Sequence, residues 1–398
     1  VYVNELSRGL AKLGHTVDVF TRRESESQPE VESWSSGVRI VNVTAGPAEV
    51  LPKDDLWGLM PEFRSSLLRF MQSDGGRYDV LHGHFWLSGW VVAELRQLLG
   101  VPAVQTFHAL GRTKRRHQGA TDTSPSARLS VERRIVRDVD RVIAQCPAEE
   151  RELVGDYGAQ PAKLARIPGG VNLERFRSVD RQEARRELGL EPSGPLAVYV
   201  GRILPRKDVG NIIQALGLLA RRLPEPPRLL VVGGESAVPD PVATPELGRL
   251  MALARRLGVD RLVTFTGKRQ PDELYMYYGA GDLAITTPWY EPFGLTPLEA
   301  MACARPVIGS TVGGLAHTIV DGATGYLIPP RDPEALASRM QRVLHDRDLQ
   351  ERMGRVGRTR VERKFSWQLT AERTCALYET LLHADTHSTS GRGTVGVV

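Results

Sequence analysis

Cysteine is scarce in this chain: Cys146, Cys303 and Cys375 are the only three among 398 residues, and they lie far apart. That spacing excludes a disulfide framework and any cysteine-based metal motif, and it suits a reducing cytosol. Long hydrophobic runs are missing as well. No apolar stretch reaches the length of a membrane span, and no segment reads as a signal peptide. The surplus of positive charge is small, formally +5. It favours anionic small ligands or a weak surface patch and gives no indication of nucleic-acid binding. What remains is the composition of an ordinary globular protein, 41% hydrophobic and 25% charged, long enough for two domains with separate cores.

Short apolar runs alternate with helix-like segments along the whole chain, which predicts an α/β architecture with largely parallel sheets. Val1 to Gly14 reads as an amphipathic helix, with Val1, Leu6, Leu10 and Leu13 interleaved with Asn4, Arg8 and Lys12. An α/β chain normally opens with a strand and a loop before such a helix, so an initial strand is expected to be missing ahead of Val1. Strands are predicted at 16–21, 39–43, 80–82, 103–106, 141–145 and 164–167. A linker-like stretch, 180–194, separates them from a second series at 196–200, 228–232, 263–266, 283–286, 306–309 and 325–328. The domain boundary is placed within 178–194. Two Rossmann-like halves facing one another across a cleft are expected, with ligands beyond the carboxyl ends of the strands. From His383 onward the chain lacks apolar content and is expected to be a disordered tail.

The most informative run is Glu291-Pro-Phe-Gly-Leu-Thr-Pro-Leu-Glu299. It follows a predicted strand, turns at Pro292 and Gly294, and enters helical sequence. The first amides of a helix lack intrahelical partners, so the run forms an anion-binding mouth flanked by two carboxylates suited to hydroxyls. After the strand at 196–200 comes Gly201-Arg202-Ile-Leu-Pro-Arg-Lys207, a turn followed by cations suited to a diphosphate. Gly233-Gly234 and Gly313-Gly314 are further turns that bring backbone N–H groups close to a ligand. Neither of these turns matches the dinucleotide fingerprint, and no Walker-type lysine motif occurs, which disfavours NAD and P-loop chemistry.

The first half supplies histidines just past predicted strands: His82 and His84, then His108. No third ligand with suitable spacing joins His82 and His84, so no metal site is expected. His108 is the candidate for touching a sugar or phosphate. Arg112, Lys114, Arg115, Arg116 and His117 follow it, either lining an acceptor site or forming a mobile surface loop. Asp138 and Asp140 read as a solvated helix cap.

Taken together, these segments resemble the retaining glycosyltransferases of family GT4, which have the GT-B fold. The carboxylate run with its Phe-Gly core, the Gly-Arg…Lys segment, the Gly-Gly turn and Phe107-His-Ala-Leu110 occur in the family's order, from Val1 to about Tyr378. Within the family the chain is similar to the branch of D-inositol-3-phosphate glycosyltransferases (mycothiol biosynthesis) and sucrose-phosphate synthases. The resemblance implies that residues 1–178 are an acceptor domain lacking its first strand and glycine-rich loop, and that 179–364 are a nucleotide-sugar donor domain. It also implies that 365–382 are a helix crossing back to the first domain. Arg202 and Lys207 would hold the donor diphosphate, Glu299 the ribose and Glu291 the donor sugar. Gly201, Gly233, Gly234 and the backbone of Phe293, Gly294, Leu295 and Thr296 would complete the donor site. His108 would face the reacting region, and Lys53, His84 and Arg128 the acceptor, with Phe85 and Ala109 standing where relatives carry hydroxyls.

The expected activity is retaining, metal-independent transfer of a sugar from a UDP- or GDP-sugar to a small polar acceptor, phosphorylated or from secondary metabolism. No further cofactor is implied. The sequence implies no nucleic-acid partner, places the protein in the cytoplasm, and is compatible with a homodimer. Two alternatives are a non-catalytic nucleotide-sugar-binding protein and a peripheral membrane enzyme with a lipid acceptor, docking through residues 62–70.

Overall fold

The computed structural model describes residues 1–75, 77–384 and 393–398. In chain order its strands are β1 (Thr16–Arg22), β2 (Val31–Ser35), β3 (Val38–Val43), β4 (Val80–His84), β5 (Ala103–Thr106), β6 (Arg141–Ala144) and β7 (Leu164–Arg166). There follow β8 (Leu196–Val200), β9 (Arg228–Val232), β10 (Val263–Gly267), β11 (Leu283–Thr286), β12 (Val307–Ser310), β13 (Gly325–Ile328) and β14 (Thr394–Val397). They form two compact units, Val1–Gly169 with Trp367–Val398, and Gly170–Ser366.

In the first unit the strand order is β2-β3-β1-β14-β4-β5-β6-β7. All neighbours are parallel except β2 and β3. Helices cover both faces, so the central strands are buried on both sides, including polar residues such as Asp18, His82 and Gln105, which are fully buried. One face packs Leu67, Phe70, Trp86, Val91 and Ile135; the other packs Leu6 and Leu10 of the first helix against Ala371 and Tyr378 of the last. The two helices cross so closely that a Cβ on Gly9 would stand 2.6 Å from Cβ of Ala371.

The tail expectation is corrected here. Thr394-Val-Gly-Val397 is a strand lying between β1 and β4. Thr16 and Asp79 donate backbone N–H groups to Gly393 and Thr394, and His84 donates to Val398. Val395, Val397 and Val398 are buried. Residues 385–392 lie outside the described residues. The physical reason is that three β-branched valines in a short run gain more from a two-sided sheet than polar flanks lose.

The second unit has the order β10-β9-β8-β11-β12-β13, all parallel. This is the doubly wound order, in which the chain leaves β8 and β11 toward opposite sides and opens a crevice at their carboxyl ends. The unit begins at Gly170, ahead of the expected boundary, because Val171 bridges to Ser366 and donates to Phe365 O at 2.8 Å. The expected linker at 180–194 holds a helix, Arg181–Glu187, capped by Asp180. The helix Trp367–Ala384 belongs to the first unit.

Candidate active site

The crevice of the second unit brings the loops after β8 and β11 together. Trp289 N donates to Arg206 O at 2.9 Å, and Arg206 Nη1 donates to Tyr290 O at 3.3 Å. Between them sits Asp208, in a left-handed conformation with φ of 52°. Its carboxylate accepts from Trp289 Nε1 at 2.7 Å, and burial raises its pKa. Arg331 lies over the Trp289 ring at 3.9 Å. This stitching places Lys207 against Glu291, and the two form an ion pair. The exposed Arg202 is fixed through its backbone, its carbonyl accepting from Tyr199 OH at 2.8 Å.

Around this pair the backbones approach as closely as glycine permits. A Cβ on Gly233 would overlap the carbonyl oxygen of Gly201, and one on Gly314 would overlap backbone of Phe293. Gly314 N donates to Glu291 O at 3.0 Å, which fixes the loop that carries the carboxylate. The helix Leu295–Ala302 starts at Gly294 with no side chain capping its first amides. Those amides, on Leu295 and Thr296, point their positive end at the crevice. Glu299 on the same helix accepts from Tyr278 OH at 2.9 Å. Burial raises its pKa, while the charges of Arg175 and Lys207 act the other way. Lys207 thus pairs directly with Glu291, while its charge favours the ionised form of Glu299.

In the first unit two strained residues follow β4 and β5, Phe85 at φ 73° and His108 at φ 60°. Positive φ is rare for bulky side chains and marks positions that the surroundings over-determine. His84 and His108 stack with ring centroids 5.2 Å apart, and His84 Nδ1 lies 2.9 Å from His108 Nε2. His82 is engaged on both nitrogens, with Tyr378 OH at 2.7 Å and Thr106 Oγ1 at 2.8 Å. Among the described residues no group of three or more His, Cys, Asp or Glu is placed to hold a metal ion.

Arg128 does not present its charge as the sequence suggested. It is 1% exposed and donates to Glu132 (2.8 Å), Ser124 (3.1 Å) and the Ala109 carbonyl (2.6 Å). Its guanidinium therefore fixes the turn after His108, with Glu132 also accepting from Gly111 N and Tyr157 OH. Lys53 lies over the Phe85 ring at 4.9 Å, and the Arg128 guanidinium carbon lies 5.0 Å from the same ring. The basic run after His108 is a helix, Gly111–Gln118, and not a mobile loop. Asp122 pairs with Lys114 and Arg115, and Asp156 with Arg112 and Arg116. Asp140 accepts from Arg96 and Ala103 N, a tertiary tie in place of a solvated cap. The stretch 62–70 lies in the helix Met60–Ser73 and buries Phe63, Leu67 and Phe70 in the core, which leaves no apolar face for a membrane.

Comparison with known proteins accords with this geometry. Residues 1–175 match the family model for Glycosyltransferase Family 4, and residues 180–360 match that for Glycosyl transferases group 1. D-inositol 3-phosphate glycosyltransferase 2 of Catenulispora acidiphila is 38% identical over 95% of this chain and 88% of its own length. The Kribbella flavida enzyme of the corresponding name is 38% identical over 96% of this chain and 90% of its own. The chain belongs to glycosyltransferase family 4.

Among solved structures, the sucrose-phosphate synthase of Thermosynechococcus elongatus superposes with a TM-score of 0.86 at 35% identity, over 96% of this chain and 93% of that one. Anabaena HepE, with a TM-score of 0.70 at 19% identity over 86% of each chain, shares the fold alone. The family 4 fold is GT-B, and each of its two α/β units is present here. Sequence reasoning missed Asp208, Trp289, Tyr278 and Gln145 in this glycosyltransferase. Asp208 adjoins Lys207 and Gln145 ends a predicted strand, so position alone could have singled them out. Tyr278 is mid-helix and carries no local signal.

Proposed function

We propose that this glycosyltransferase moves a sugar from a UDP- or GDP-sugar to a small polar polyol, with retention at the anomeric carbon. The observation that carries the donor half is Lys207, paired with Glu291 and acting on Glu299 at the crevice between β8 and β11. A diphosphate entering there meets Lys207, Arg202 and the open amides of the helix at Leu295. The ribose hydroxyls fall to Glu299 and the sugar hydroxyls to Glu291. In the transfer the bond from the anomeric carbon to the diphosphate oxygen breaks as the bond to the acceptor oxygen forms on the same face. The acceptor's proton passes to the leaving diphosphate, whose charge Lys207 and Arg202 stabilise. These cations take the role that a divalent ion plays elsewhere, so EDTA leaves activity intact in this reading.

The acceptor belongs to the first unit, at His84, His108 and Lys53. The relatives named for D-inositol 3-phosphate make an inositol phosphate the first acceptor to try. Engagement of Arg128 by Glu132 makes the unphosphorylated polyol the necessary second arm. Cys146 and Cys303 are buried and neither is in a disulfide, which supports a reducing, cytoplasmic setting. The test is a mass-spectrometric screen of nucleotide sugars against polyols and their phosphates. A glycosylated product with release of nucleoside diphosphate is expected, and no nucleotide release with any donor refutes the reading.

A further inference from the structure

His108, the histidine singled out for the reacting region, has both ring nitrogens engaged inside the first unit. Its Nε2 lies 2.9 Å from His84 Nδ1, and its Nδ1 lies 3.2 Å from Gln145 Nε2. His84 Nε2, by contrast, is a buried polar atom with no hydrogen-bond partner among the described residues, in a side chain that is itself 7% exposed. Burial holds all three histidines neutral: His82 falls to about 3, His108 to about 4, and His84 well below the usual range.

A neutral imidazole carries one N–H, so its two nitrogens cannot both donate. An amide N–H of Gln145 donates to His108 Nδ1, which puts the proton of His108 on Nε2. That proton points at His84 Nδ1, which must accept, and the proton of His84 is left on Nε2. The orientation starts from Gln145, which is 4% exposed and whose backbone N–H donates to Glu149 Oε2 at 2.7 Å. His108 itself and Phe85, the neighbour of His84, both have positive φ, and the Tyr2 ring lies 4.7 Å from His108 and 5.6 Å from His84.

We propose that Gln145 is a positioning residue that sets the tautomers of His108 and His84, so that His84 offers an Nε2–H to an oxygen of the acceptor. The ligand atom is thereby specified as a hydrogen-bond acceptor, a hydroxyl or phosphate oxygen. The inference rests on the reading that this edge of the first unit receives the acceptor.

The tautomers are read directly from long-range proton–nitrogen spectra of histidine-labelled, ligand-free protein. His84 and His108 are both expected with the proton on Nε2. Gln145→Glu, which can only accept from His108 Nδ1, is expected to move both protons to Nδ1. Gln145→Leu is expected to leave a mixture of forms. Both variants should raise the KM for the acceptor roughly tenfold, the scale of one lost hydrogen bond, with the KM for the donor unchanged. His84→Leu, which removes the Nε2–H itself, should raise the KM for the acceptor at least as far as the Gln145 variants do, with the KM for the donor unchanged. A proton on Nδ1 of His84 in the parent protein overturns the proposal, as does a Gln145→Leu variant with unaltered tautomers and unaltered acceptor KM. If the parent transfers no sugar to any acceptor, the glycosyl-transfer reading fails, and the tautomer spectra alone then decide the role of Gln145.

Discussion

Deleting Thr394–Val398 should unfold the first unit while leaving the second intact. The deleted segment sits between β1 and β4, in register with Thr16–Val19 on one side and Val80–His82 on the other. Val395, Val397 and Val398 are 3%, 0% and 7% exposed. Burying a valine contributes about 1.5–3 kcal/mol, so the three contribute roughly 5–9 kcal/mol, and about 5 once a compact unfolded chain is allowed for. Deletion also strips the N–H groups of Asp79 and His84 of their carbonyl partners, Thr394 and Val398, at about 1–3 kcal/mol for each that stays buried. The sum rivals the roughly 5–15 kcal/mol that holds a domain folded.

Tryptophan fluorescence in urea separates the two units. Of the six tryptophans, Trp34, Trp57, Trp86, Trp90 and Trp367 report the first unit and Trp289 the second. The deletion variant should show the unfolded emission of the first unit without denaturant, and should keep a second-unit transition. Val397→Ala, which removes two buried methyl groups, should cost about 2 kcal/mol and lower the melting temperature of the first unit by about 4–8 °C. A deletion variant with the parent's first-unit midpoint would refute the placement of β14.

Replacing Lys207 or Arg202 by Ala should lower turnover by roughly 10²-fold or more, the scale for losing a charge-stabilising donor; near-normal rates in both would remove the diphosphate assignment. Asp208→Ala leaves Trp289 Nε1–H without its acceptor and loosens the loop carrying Glu291. The expected result is a donor KM raised about five- to tenfold, measured with acceptor saturating. His108 is neutral in the fold and titrates at about 4, against about 6.5 in an unfolded chain. The unfolded state therefore binds the extra proton, and stability falls as pH drops from 6.5 toward 4, by about 1.4 kcal/mol per pH unit from this group. Glu149, raised to about 7 by burial, acts in the opposite direction, since its contribution is lost as pH rises from 4.5 through 7. The difference between parent and His108→Gln in urea titrations at pH 7, 6 and 5 isolates the histidine, and parallel pH profiles would count against it.

Much of the fold was legible because its signals are local. Apolar runs bounded by turn residues placed β1 and β3 to β13 within a residue or two, since a strand buried on both faces is mostly apolar, even where it carries a paired polar residue such as Asp18 or His82. β2, with Glu32, Ser33 and Ser35, lies at a sheet edge and carries no such run. The expected contents of the donor site were also local: Glu291, Gly294 and Glu299 fall within one turn-and-helix segment. The pairing of Arg128 with Glu132 was not legible for the opposite reason, since a guanidinium looks the same in a sequence whether it faces a ligand or a buried carboxylate.

By itself the sequence determined the two α/β series, the doubly wound unit with its glycine turns, and the family, because each rests on residues that are neighbours along the chain. Tertiary structure alone decided which distant groups meet. It put β14 at the centre of a sheet whose other strands end at Arg166. It paired Lys207 with a carboxylate 84 positions away, and His82 with a tyrosine 296 positions away. It also linked Gln145, His108 and His84 across three strand ends. The physical reason is that strand order, not local pattern, fixes which side chains share an edge. Strand order follows from burying both faces of a sheet at once, a condition that no single segment can express.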